Sequence, residues 1–299
     1  MKSPQVPIPS LSKKLGIQNE IWFKFENKHH YGSHKGRSIP YMIDEYKRQG
    51  VNSFVISSSG NAAIAAFRAV ISHNKNKPGS LLSLKILVGQ NIAPAKLTTL
   101  KDESAGHATV SIEQSSNPKQ SAMKYEKETG ATWLRSSTDP LAIIGYQSLA
   151  DELKRIENLS AVFIPSSSGT AAEGLYQGFK NLGISPQIHI VQTNACHALA
   201  SYVYELQGKE IPKEQGESIA DAIVDKVGRR KATVAKAVME SGGAAWIADD
   251  EEIKRSQELA RADGIEISTN SALSLAGLQL ALASGYGWQG PVVCIISGD

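Results

Sequence analysis

Short apolar runs of strand type recur along this chain, each followed by a turn of small residues and then a helix-forming stretch. Phe54-Val55-Ile56 runs into Ser57-Ser58-Ser59-Gly60-Asn61, and the Ala-rich spacing beyond predicts a helix over 61–73. Residues 84–88 and 109–112 read as further strands, with helices starting within 94–100 and spanning 118–129. Residues 161–164, 187–192 and 291–296 read as strands of a second sheet. Strands of about four to six apolar residues separated by amphipathic helices argue for parallel α/β layers. No internal repeat and no low-complexity linker interrupts the pattern, and the irregular stretch 208–216 has the most exposed character.

Composition narrows the function classes. At 299 residues the chain can bury a sizeable core as two small domains or one large one. A formal net charge of +3, with Lys and Arg scattered, gives no footprint for nucleic acid. No apolar run approaches the ~20 residues of a membrane span, and the N-terminus has no signal-peptide stretch. Cys196 and Cys294 are too few for a disulfide framework or a structural zinc site. The expectation is a cytoplasmic enzyme acting on a small molecule.

The run Tyr31-Gly32-Ser33-His34-Lys35-Gly36-Arg37 carries the first chemistry. A lysine amine is a nucleophile only when deprotonated, which calls for partial desolvation or a nearby cation. Lys35 follows a strand expected over 21–25 and precedes a helix expected over 37–47, where a rigid scaffold aims a side chain into a cleft. Alone, it reads as a solvated surface lysine, the commonest fate of that residue type.

Three small-residue segments at strand ends change the balance. Ser57-Ser58-Ser59-Gly60-Asn61-Ala62 opens a helix and offers backbone N–H groups and a positive helix end to a carboxylate. Pro165-Ser166-Ser167-Ser168-Gly169-Thr170 follows a strand and precedes a helix from about Ala171, a setting suited to phosphate. It holds neither a Walker pattern nor GxGxxG. Ser297-Gly298-Asp299 ends the strand 291–296, at the sheet edge where α/β folds commonly hold ligands. An amine nucleophile together with an anion cradle suits a lysine held as a Schiff base with an aldehyde cofactor.

All four segments, in this order, resemble the pyridoxal-phosphate enzymes of the tryptophan synthase β-like family (fold type II), which includes threonine synthases, threonine dehydratases and cysteine synthases. The family's cofactor-lysine pattern Gly-Ser-Phe-Lys-Asp-Arg is matched at Gly32, Ser33, Lys35 and Arg37, with His34 and Gly36 as departures. The resemblance implies two doubly wound α/β domains with pyridoxal 5'-phosphate between them. A small domain of residues 40–145 would be inserted into a larger one of residues 1–39 and 146–299. It implies that Lys35 is the Schiff-base lysine and that Ser58, Ser59, Asn61 and Ala62 bind the substrate, with Asn61 also on the cofactor's ring oxygen. Ser166, Ser167, Ser168, Gly169 and Thr170 would form the phosphate cup, and Ser297 would contact the pyridine nitrogen. A homodimer is implied as well.

The rest of the chain bears on the reaction. Glu217-Ser218-Ile219-Ala220-Asp221-Ala222-Ile223 resembles a loop of the dehydratases and threonine synthases, as does Gly264-Ile265-Glu266-Ile267-Ser268-Thr269-Asn270-Ser271-Ala272. In the latter, Ser268-Thr269 stands where the family has Glu-Pro. Asp139-Pro140-Leu141-Ala142-Ile143-Ile144-Gly145 follows the dehydratase pattern, and Ala142 stands where threonine synthases carry a phosphate-holding Arg. Gln192 replaces the Glu with which some relatives hold a divalent cation, and His29, His30 and His34 have no helical ligand spacing, so no metal is expected and the histidines read as exposed loop residues. The expected activity is α,β-elimination from a small hydroxy- or O-activated amino acid such as serine or threonine, with Lys35 as general base. A threonine synthase-like or cysteine synthase-like replacement enzyme is the alternative. A degenerate cofactor-binding relative and a cofactor-free α/β binding module remain open from other classes.

Overall fold

The computed structural model describes residues 2–92 and 94–298. In chain order the elements are β1 (Gln5–Pro7), α1 (Pro9–Lys14), β2 (Ile21–Phe25), α2 (Lys35–Arg48), β3 (Ser53–Ser57), α3 (Asn61–Asn76), β4 (Ser83–Gly89), α4 (Pro94–Ser104), β5 (Val110–Ser115), α5 (Pro118–Thr129) and β6 (Thr132–Trp133). They continue with α6 (Pro140–Leu153), β7 (Ala161–Pro165), α7 (Thr170–Asn181), β8 (Gln187–Thr193), α8 (Ala198–Leu206), α9 (Lys231–Glu240), β9 (Ala245–Ala248), α10 (Asp250–Arg261), α11 (Thr269–Ala283) and β10 (Val292–Ile296). Among the described residues no helix is long and apolar enough to cross a membrane.

The chain divides into two compact units, Met1–His29 with Tyr146–Asp299, and His30–Gly145. The break falls at residue 30, whereas the sequence placed it at residue 40. Pro40 lies inside α2, so a boundary there would cut a continuous helix. Lys35 consequently belongs to the unit of residues 30–145.

That unit is built on a four-stranded parallel sheet in the order β5-β4-β3-β6. Side chains alternate across its strands with a period of two. Phe54 and Ile56 of β3 enter one core cluster with Ile39, Met42 and Val70 of the flanking helices. Val55 turns to the opposite face and packs with Leu87 and Ala122. Both faces are therefore covered, which is why β3 reads as an unbroken apolar run.

The other unit carries a six-stranded sheet in the order β1-β2-β10-β7-β8-β9. It is parallel throughout except for β1, which pairs antiparallel with β2 at one edge. Ala161 and Phe163 of β7 pack on one face, Val162 and Ile164 on the other, and β10 divides its residues in the same way. Helix α11 is apolar on nearly every side and lies against β7, β8, β9 and β10.

Two buried polar groups organise this unit. Lys24, wholly buried in β2, donates from Nζ to Glu152 Oε2 at 2.5 Å and to the Ser3 carbonyl at 2.8 Å, tying the β1 edge to α6. His189 of β8 stacks on Phe163 with ring centroids 4.4 Å apart. Its Nδ1 accepts from Trp246 Nε1 at 3.1 Å, so Nε2 carries the proton and donates to Gln187 Oε1 at 3.0 Å. Burial holds this imidazole's pKa down at about 3, and it is neutral at physiological pH.

Candidate active site

In the unit of residues 30–145, Lys35 is the first residue of α2. The turn before it depends on Gly32, whose φ is +86° and over which Arg68 reaches so closely that a Cβ would stand 2.8 Å from Nη1. Buried Ser33 accepts the Lys35 N–H on Oγ at 3.3 Å, and its carbonyl accepts the Gly36 N–H at 3.0 Å. The Lys35 side chain is half-buried. Among the described residues no carboxylate or other group is bonded to its Nζ, and desolvation lowers its pKa to about 8. Loss of solvent without a compensating anion is what makes an amine available as a nucleophile or base at neutral pH.

The second segment leaves β3 and opens α3, and α3 packs against α2. Ser58 Oγ accepts the Gly60 N–H at 3.3 Å, and the Gly60 carbonyl starts the helix by accepting from Ala63 at 2.9 Å and Ile64 at 3.2 Å. Ser58, Asn61 and Ala62 are half-buried, and Ser59 is exposed. A helix start of this kind leaves N–H groups facing outward for an anion.

In the other unit, the loop after β7 forms a cup at the start of α7. Ser166 is buried, with its N–H on the Val191 carbonyl at 2.9 Å and its hydroxyl on the Ile164 carbonyl at 3.1 Å. Gly169 has φ +77°, and Ser168 Oγ lies 3.0 Å from Thr170 Oγ1. Among the described residues the backbone N–H groups of Ser167, Ser168 and Gly169 have no acceptor. Adjacent orphan donors at a helix N-terminus form an anion cradle. Glu173 in the first turn would oppose an anion there, but Arg230 Nη1 at 3.1 Å and Thr233 Oγ1 at 3.0 Å hold its Oε2.

Ser297 follows the last residue of β10 and is buried. β10 pairs with β7 in the register Val292↔Ala161 to Cys294↔Phe163, and continuing it sets Ser297 level with Ser166. The cup and Ser297 thus leave neighbouring strands at the same carboxyl edge. Ser268, the N-cap of α11, donates to the Gly298 carbonyl at 2.6 Å, and Gly298 donates to Ser271 Oγ at 3.3 Å. Position 268 is therefore a hydroxyl that fixes the end of β10.

Three residues differ from, or do more than, what their sequence setting suggests. His29 is buried rather than exposed and falls in a different unit from His30 and His34, of which only His30 is fully exposed. Gln192, read only as the loss of a cation ligand, joins the cup to α8: Nε2 donates to the Ser166 carbonyl at 2.8 Å, and Oε1 accepts from Leu199 and Ala200, both at 2.9 Å. Ser167 Oγ also does more than face a ligand, because it accepts the N–H of Val224 at 3.1 Å and of Asp225 at 3.2 Å. A polar residue at the end of a buried strand, which must find partners, was the available signal.

The chain is similar to known proteins in sequence and in fold. The chain is 26% identical over 311 residues to a threonine synthase of Methanosarcina acetivorans, covering 99% of this chain and 74% of that protein. It is 29% identical over 236 residues to the L-serine dehydratase/L-threonine deaminase of Mus musculus, covering 76% of this chain and 68% of that one. The structure of maize serine racemase superposes with a TM-score of 0.80 at 20% identity, covering 100% of this chain and 88% of the other. A family model described as pyridoxal-phosphate dependent enzyme matches residues 1–298. On that match over nearly its whole length, the chain belongs to the family of pyridoxal-phosphate-dependent enzymes.

Proposed function

We propose that the chain is a lyase that carries out α,β-elimination on a small hydroxy- or O-activated amino acid, with serine and threonine as the first substrates. The observation that carries this is Lys35, an amine with a pKa of about 8 and no bonded counter-ion among the described residues. The residues present fit pyridoxal phosphate. The orphan N–H groups of Ser167, Ser168 and Gly169 suit its phosphate, and Lys35 suits its aldehyde. When bound, that cofactor supplies a carbonyl for the lysine and a ring that delocalises the electron pair left on the substrate's Cα.

The chain's own side chains account for the rest. Lys35 Nζ would hold the cofactor by its aldehyde and, in its neutral form, would take the proton from the substrate's Cα. Ser58, Ser59, Asn61 and Ala62 at the start of α3 bind the substrate, with the helix end favouring its carboxylate. Asn61 would also hydrogen-bond the cofactor's ring oxygen. Ser167, Ser168, Gly169 and Thr170 would hold the phosphate, Ser166 would shape the loop because its N–H and hydroxyl are engaged by the Val191 and Ile164 carbonyls, and Ser297 would be the neutral partner of the pyridine nitrogen. Loss of the Cβ hydroxyl as water, followed by hydrolysis, converts serine into a keto acid and ammonia. The same reading carries a homodimer and a cytoplasmic location, which sedimentation and fractionation test.

Threonine synthase-like chemistry is the second reading, favoured by the Methanosarcina acetivorans relative's match over 99% of this chain. Against it stands Ala142, which is wholly buried in the core of its unit where the synthase pattern needs a guanidinium. A lost charge-assisted contact of that kind weakens phosphate binding by about 1.5–3 kcal/mol. Steady-state assays separate the two readings. Keto acid released from serine or threonine is expected, with O-phosphohomoserine a poor substrate. Efficient threonine formation from O-phosphohomoserine without keto-acid release would reverse the ranking and leave the cofactor assignment intact.

A further inference from the structure

The cup's donors are backbone N–H groups, so what matters is which way each peptide plane faces. Peptide planes are rigid, and among the described residues no peptide bond is cis, so the carbonyl of one residue points opposite to the N–H of the next. Whatever holds the Ser166 carbonyl therefore aims the Ser167 N–H the other way. Gln192 holds it: Nε2 lies 2.8 Å from that carbonyl and 3.5 Å from the Ser167 carbonyl, whose peptide carries the Ser168 N–H.

The far side of the same amide is equally committed. Oε1 accepts the N–H groups of Leu199 and Ala200 in the first turn of α8, each at 2.9 Å. Backbone N–H groups only donate and carbonyls only accept, so these partners fix the amide's orientation. The side chain is 0% exposed, leaving no solvent to take over a broken bond.

We propose that Gln192 is a positioning residue for phosphate, acting through the Ser166–Ser167 and Ser167–Ser168 peptides while its carbonyl anchors it to α8. This rests on the reading of the 165–170 loop as the phosphate cup. Gln192 touches neither phosphate nor substrate, so its loss should register selectively on ligands that carry the phosphate.

The experiment measures the binding of pyridoxal phosphate and of pyridoxal, which lacks the phosphate, by absorbance titration of the full chain. Gln192→Met keeps the length without donor or acceptor, and Gln192→Asn keeps the amide but falls one methylene short of spanning both ends. The wild type should prefer the phosphorylated ligand. Each folded variant should lose about tenfold or more of that preference, with pyridoxal affinity little changed. Folded Gln192→Asn or Gln192→Met protein with the wild-type preference overturns the positioning role, and if Gln192→Met does not fold, Gln192→Asn decides alone. A wild type that binds both ligands equally, or a folded Gly169→Val protein with an unaltered preference, overturns the cup reading itself.

Discussion

Gly169 packs against Val234 so tightly that a Cβ at position 169 would lie 2.4 Å from Val234 Cγ2. Position 169 also has φ +77°, which costs an L-residue about 1–2 kcal/mol. Gly169→Ala should therefore weaken cofactor binding and lower stability by about 2 kcal/mol or more, from strain and clash together. Adding Val234→Ala should recover the part due to the clash and leave the part due to φ. Titration and thermal melts of the single and double variants measure both parts.

Lys35 should be the residue that forms the Schiff base. Borohydride reduction of the loaded protein followed by peptide mapping should place the label on Lys35, and label on another lysine refutes the assignment. Only the neutral amine attacks an aldehyde, so the rate of cofactor capture by apo protein should rise with pH and level off above about 8. A midpoint near 10.5, the ordinary lysine value, would show that the amine is not desolvated.

His189 sets an acid limit on the fold. Its folded pKa of about 3 lies below the ordinary 6.5, so the unfolded chain binds the proton more readily. The favourable contribution of the neutral ring is complete above 6.5, and it is lost as pH falls from 6.5 towards about 3. Within that window this one group should cost at most about 1.4 kcal/mol per pH unit. His189→Gln, which can still accept from Trp246 and donate to Gln187, should show a shallower fall in denaturant-measured stability across the same window.

Removing the Lys24 ammonium should take a bonded cation away from a buried carboxylate. Lys24→Met is expected to destabilise the chain by about 3–5 kcal/mol. Replacing Glu152 by Gln as well should restore part of that loss, because the carboxylate charge that Lys24 faced goes with it. Equilibrium urea unfolding of the two variants measures the difference.

The parts of the fold legible in the sequence are those with local causes. Strands such as β3, β7 and β10 are buried on both faces and read as continuous apolar runs, and the loops at their ends announce themselves by Ser and Gly. Strand β1 is Gln-Val-Pro, which has no strand signal of its own; it exists through its pairing with β2 and the Lys24 bonds. Strand β9 is Ala-Trp-Ile-Ala and is placed by β8. The charge on Lys24 argued against burial, and its partner Glu152 is 128 residues away. Lys35, Asn61, the cup and Ser297 stood out as motifs, whereas Gln192 did not, because its meaning depends on partners in a loop and a helix that only the fold brings together.

The loop after β7 presents main-chain N–H groups, and this loosens the tie between letters and ligand. Serines can stand where glycines would serve as well, because the donor is the same atom in either residue. Alignments that score the loop's side chains will undervalue such a site, and variants that cripple it can fall well outside it. In a distant relative, the more durable trace of the loop is whichever buried amide or hydroxyl holds its carbonyls from behind, and that position is the one to compare first.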